Sequence, residues 1–219
     1  MNLLSVKLAR SIWLGPISDL NPKGISIARS LFPFLIDTYK FMEYPSSTKT
    51  EDPQAGLKFE NGEFEIDGHD YPIHINSLTL YLDGITVDTH SSTNYSDVIL
   101  DNVLTKSEQL FGGPVYASII KQKLYVSEVY VSTDQVLERL NSKLKQISNY
   151  LIKYFGKEIN FQAGGISFWP DPKNKFNPRP FAFERAVEAP FSENRYYSIA
   201  PIPTDKHLEL LDKLEMILS

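Results

Sequence analysis

Residues 57–91 read LKFENGEFEIDGHDYPIHINSLTLYLDGITVDTHS, and the fold turns on how this stretch pairs with itself. Asn-Gly and Asp-Gly dipeptides accept positive φ, as tight hairpin turns require. A turn at Asn61-Gly62 sets Phe59 against Phe64 and Leu57 against Ile66 on one face, and Lys58 against Glu65 on the other. A one-residue slip would mix those faces. A turn at Asp83-Gly84 sets Leu82 against Ile85, Leu80 against Val87 and Leu78 against Thr89. Asp67-Gly68 is a third candidate turn, followed by Tyr71, Ile73 and Ile75 on one parity. The apolar parity then switches between Ile75 and Leu78, which predicts a bulge or bend at Asn76-Ser77. Residues 57–91 are therefore expected to be an antiparallel meander.

On either side of the meander the pattern alternates between strand and helix periods. A strand is expected at 3–14, with Leu4, Val6, Leu8, Ile12 and Leu14 on the buried parity. Arg10 shares that parity, so the reading places a bulge near Ala9–Ser11 to turn it outward. The alternative is burial beside a carboxylate. Further strands are expected at 122–132, 159–169, 181–188 and 195–200. Helical spacing covers 25–43, with a kink at Pro33; 95–111, stopped by Gly112; 134–155, capped by Ser132 or Thr133; and 205–218. The 134–155 stripe is Val136, Leu137, Leu140, Leu144, Ile147, Leu151 and Phe155. Residues 45–56 and 170–180 read as loops. Strands grouped in a meander with about four helices imply an α+β fold, one domain over 1–219, without internal repeats.

Composition narrows the chemistry. The 219 residues include no Cys, which excludes disulfides, thiolate metal sites and a cysteine nucleophile. The net charge of −5 hides a polarity, because residues 57–113 carry two Lys and ten acids, whereas 121–179 carry ten Lys and Arg and five acids. Without an overall basic surplus, nucleic acid is not an expected partner. Lys7 and Arg10 interrupt the only apolar stretch near the start, and no window suits a membrane span, so a cytoplasmic protein is expected.

Phosphate loops, dinucleotide fingerprints, nucleophile elbows and His-Glu-x-x-His are absent. FGGP at 111–114 follows a helix and reads as its stop. Three weaker constellations stand out. His74, Asp88 and His90 share the non-core face of the meander, near Thr79, and two imidazoles with a carboxylate suit a divalent metal in a hydrolase or nuclease. Trp169, Lys173, Lys175, Phe176 and Arg179 interleave cations and aromatics in a proline-stiffened loop suited to gripping a protein partner. Arg185 and Arg195, near Glu184 and Glu188, suit an anionic small molecule or nucleotide. His207 falls in the first turn of the last helix, where a surface position is expected. The leading expectation is a non-enzymatic, cofactor-free, self-associating accessory or assembly protein of a bacterial or phage cytoplasm. A metal-assisted hydrolase and an anion sensor are the alternatives.

Overall fold

A computed structural model describes residues 1–24, 27–46, 56–66, 70–156 and 158–219. In chain order its elements are β1 (Asn2–Leu14), α1 (Ile27–Tyr39), β2 (Leu57–Phe64), β3 (Ile73–Leu80), β4 (Gly84–Thr89) and α2 (Thr93–Phe111). There follow α3 (Tyr116–Ile119), β5 (Gln122–Ser132), α4 (Leu144–Phe155), β6 (Gly165–Phe168), β7 (Phe181–Arg185), β8 (Arg195–Ala200) and α5 (Thr204–Leu218). The fold is α+β: one antiparallel sheet with strand order β2-β3-β4-β1-β5-β8-β7-β6. The chain forms two compact units, one of Leu8–Ser127 with Ile202–Thr204, the other of Met1–Lys7, Glu128–Pro201 and Asp205–Ser219.

The element order contains a repeat, against the expectation of none. A strand, a 3₁₀ turn, a helix, three strands and a helix run from β1 to α2, with the 3₁₀ turn at Ile17–Leu20. The same succession runs from β5 to α5, with its 3₁₀ turn at Leu137–Leu140 and one additional 3₁₀ turn, Phe191–Glu193, between β7 and β8. Along the sheet, 2-3-4-1 is followed by 5-8-7-6, the same order reversed. Sequence likeness is confined to short pieces such as ISDLNPK at 17–23 and LERLNSK at 137–143. The repeat is thus one of topology.

In the first unit the meander forms with two corrections. Asn61-Gly62 is not a hairpin turn: β2 runs straight through it, and Gly62 pairs with Ile75 of β3. Asn61 does take φ +56°, so the left-handed signal was real, but it marks a local twist inside a strand. A Cβ on Gly62 would stand 2.5 Å from the Phe41 ring, so glycine is what lets Phe41 cross β2. Met42 N–H then donates to Asn61 O at 3.2 Å, and Glu43 bridges Glu60. The β3–β4 hairpin lies where expected, but Leu80 faces Ile85 and Leu78 faces Val87, a slip of two that keeps the faces intact. The expected bulge is present, between Ile75 and Ser77. Asp67-Gly68 lies outside the described residues.

The buried parity of β1 over 9–14 is the reverse of the expected one. Ala9, Ser11 and Trp13 are buried, while Leu8, Arg10, Ile12 and Leu14 are only partly covered. Nor is there a bulge at Ala9–Ser11: β1 pairs with β4 without interruption from Ala9↔Thr89 to Leu14↔Gly84. Helix α2 explains the reversal, because it approaches β1 closely over these small residues. Ser96 Oγ donates to Ala9 O at 2.9 Å, Ser11 Oγ to Thr93 O at 3.2 Å, and Trp13 Nε1 to Asp97 Oδ1 at 2.9 Å. Ser92 caps α2 through the Asn94 amide, and Gly112, at φ +62°, ends it as expected. Around this seam α1, α2 and β2–β4 enclose a core containing Leu35, Tyr39, Phe59, Leu78, Ile85 and Leu100.

The second unit has a smaller core of Val129, Val131, Leu137, Phe183, Tyr196, Leu211, Leu214 and Leu218. The expected helix 134–155 is broken. After the 3₁₀ turn, Asn141 adopts an extended conformation, and its side chain accepts the Lys143 amide at 3.0 Å before α4 begins. The expected strand 159–169 shrinks to the four residues of β6, and 181–188 to the five of β7.

Thr93 and Thr204 open α2 and α5, the helices that close the two repeats. Thr93 Oγ1 accepts the Thr204 amide at 2.8 Å, and Thr204 Oγ1 accepts the Thr93 amide at 3.2 Å. Both side chains are buried. Each thus satisfies a helix-start donor that its own helix cannot. Replacing either by Val should cost about 1–2 kcal/mol in urea unfolding. A cost within experimental error of zero for both would show that the exchange adds no stability.

Candidate functional site

Among the described residues, His74, Asp88 and His90 are each turned to other partners. Arg10 lies directly opposite Asp88 across the β1–β4 ladder, and its Nε and Nη2 reach Oδ1 and Oδ2 at 2.7 and 2.6 Å. Ser77 Oγ adds a third donor to Asp88 at 3.2 Å. Asp88 is on the expected non-core face, but it is spent on a bidentate guanidinium. His90 Nε2 meets the side-chain amide of Asn76, the bulge residue, while His74 sits opposite Glu63. Among the described residues no three His, Cys, Asp or Glu side chains are placed to share a metal ion. His69 lies outside the described residues. Arg10 thus has the carboxylate partner of the second alternative, but it meets it on the partly open, non-core face and is not buried.

The two arginines of the anion reading lie on opposite faces of the β7–β8 ladder, yet both border one cleft. Arg185 pairs across the β7–β8 ladder with Tyr196, so Arg195, the next residue along β8, points to the opposite face. Arg185 stacks against Phe191 and Tyr196, with ring centroids 4.8 and 5.2 Å from its guanidinium carbon. It also donates to Gln162 and, at 3.4 Å, to Asn194 Oδ1. Arg195 forms an ion pair with Glu193 at 2.8 Å. A cleft of about 750 Å³ does form in this region, lined by residues including Lys7, Glu184, Arg185, Glu188, Arg195 and Tyr197. Its cations are already engaged: Lys7 lies 3.9 Å from Glu128 and over the Tyr197 ring. Of the charged residues around this cleft, Arg195 is paired with Glu193 and Lys7 approaches Glu128, while Arg185 is held by amide oxygens and rings.

The loop after β6 keeps its expected character. Its irregular path is ordered locally by an Asx turn, in which the Lys173 amide donates to Asp171 Oδ1 at 2.9 Å and the Asn174 amide to Asp171 O at 2.9 Å. Lys173, Lys175, Phe176 and Arg179 are all exposed. Trp169 is 76% exposed, yet its indole N–H is held by Ser167 Oγ at 3.1 Å. The loop therefore presents cations and rings whose ordering cost is partly met before any contact forms.

Two features escaped the sequence reading. The first is α4, which has no buried residue: Ile147, Tyr150, Tyr154 and Phe155 are exposed. Its periodicity was legible, but nothing local shows whether a partner surface exists. The second is His207, which is fully buried, edge-on to the Phe181 ring and 2.9 Å from Ser198 Oγ. Ser198 Oγ also lies 2.9 Å from the Ala182 carbonyl oxygen, which can only accept its proton. The chain therefore runs from His207 Nε2–H to Ser198 to Ala182, with the hydroxyl hydrogen directed away from the imidazole. A serine so arranged is not activated as a nucleophile. No known protein family matches the chain, and no curated protein does.

Burial lowers the His207 pKa to about 4 from its ordinary 6.5. Between those values the unfolded chain binds the proton and the folded one does not, so folding stability falls as pH drops from 6.5 to 4. The loss approaches about 3 kcal/mol. Urea titrations at stepped pH should show this slope, and His207→Gln should flatten it. An equally steep slope in the variant would assign the acid sensitivity elsewhere.

Proposed function

We propose that this chain is a non-enzymatic, self-associating accessory or assembly protein of a bacterial or phage cytoplasm, acting through protein contacts. The observation that supports this best is the basic, aromatic surface of the second unit. Residues 139–179 hold eight Lys and Arg against two acids, and within them Trp169 and Phe176 project from an ordered loop beside Lys173, Lys175 and Arg179. Exposed aromatics rimmed by charge are the usual anchors of protein interfaces. No described helix is long and apolar enough to cross a membrane.

Light scattering on the full chain over a concentration series tests the proposal. The mass should rise with concentration, and Trp169→Ala with Phe176→Ala should weaken association by about tenfold or more. A monomer at every concentration would contradict self-association.

A further inference from the structure

The repeated topology makes α1 and α4 counterparts, and their surroundings differ. On α1, Leu31, Leu35 and Tyr39 follow one another at four-residue steps and are buried. They lie among Phe59, Leu78 and the rest of the first core, with Tyr39 5.7 Å from Phe64 and its hydroxyl 2.6 Å from Asn102 Oδ1. On α4, Ile147, Leu151 and Phe155 follow at the same steps, but Ile147 is 60% exposed, Phe155 is exposed and Leu151 is only half-buried. Tyr150 and Tyr154 widen the stripe. The strands explain the difference, since β2 and β3 have eight residues each, whereas β6 has four and β7 five. The apolar face that the first repeat lays on its own sheet finds less sheet in the second.

Charge identifies what covers it. Lys143, Lys145 and Lys153 flank the stripe, and residues 139–157 contain no acid. The first unit presents the opposite combination at its β2 edge. There Met42 and Tyr44 are exposed with Glu43, which runs along β2 at Glu60; Glu63 is exposed on β2, and Asp70 and Tyr71, the latter to 81%, are exposed in the connection just before β3. Lys40 and Lys58 engage Glu65 and Glu60, which leaves the other three acids to set the sign of this surface. An apolar, basic helix face and an apolar, acidic strand edge in one chain complement each other in both respects. Resting on the self-association proposed above, we infer that α4 of one copy docks on the β2 edge of a second copy, around Met42, Glu43, Tyr44, Glu63 and Tyr71.

A charge exchange tests this with residues that are exposed and carry little of the fold. The first variant is Lys145→Glu with Lys153→Glu, and the second is Glu63→Lys with Asp70→Lys. Sedimentation velocity of nuclease-treated full-length protein should show association of the wild type, at least a tenfold loss in each variant alone, and recovery when the two are mixed. Mixing pairs an acidic α4 with a basic β2 edge. If the wild type associates and the variants do so equally, or the mixture stays dissociated, the α4 docking fails while self-association stands. If the wild type is monomeric, both fail. If nuclease abolishes the wild type's association, the basic face belongs to nucleic acid and the inference falls.

Discussion

The approach of α2 to β1 is the constraint on which the first unit depends. Ser96 and Ser11 exchange hydrogen bonds with the opposing backbones at Ala9 and Thr93, so helix and strand meet almost backbone to backbone. Only small side chains allow this, and the seam accordingly reads Ala9, Ser11, Thr89, Thr93 and Ser96, all buried. At its end Trp13 and Tyr125 both donate to Asp97, and Lys123 lies 3.4 Å above the Trp13 ring. Asp97 thus receives two buried-side donors on its two oxygens, which fixes the helix along the strand. With α2 set against β1, the large residues of α1 and β2–β4 have one volume to fill.

That seam also exposes the limits of reading a strand by size. Along β1 the apolar residues Leu8, Ile12 and Leu14 occupy the partly open face, while the small Ala9 and Ser11 face the helix, with Trp13 beyond them at the end of the seam. A parity rule that equates large with buried picks the wrong side wherever a helix needs close approach. The positive φ at Asn61 misleads in another way: it was legible, but whether it makes a turn or a twist depends on Phe41, twenty residues upstream. Asn141, by contrast, interrupts the 134–155 stripe by a local mechanism, its side chain competing for a backbone amide.

What was legible rested on short-range chemistry. The bulge at Asn76, the stop at Gly112, the strand at 122–132 and the irregular loop at 170–180 each follow from residues adjacent in sequence. The placement of Asp88 on the non-core face was also correct, but its partner Arg10 lies 78 residues away and could be raised only as one option. The same distance effect hid the buried His207, whose neighbours come from β7 and β8. The repeat stayed hidden because its halves share topology and side-chain phase while conserving few residue identities.

The two repeats then differ where function is proposed. One helix has eight-residue strands beneath it and is buried; its counterpart has short strands and carries an uncovered stripe flanked by lysines. Contact between copies uses that difference directly. Hydrogen exchange of the wild-type protein, compared between concentrated and dilute solution, measures it without altering any residue. Amides of 144–155 should exchange more slowly when concentrated, and those of the β2 edge with them. Identical exchange at both concentrations would contradict association through α4.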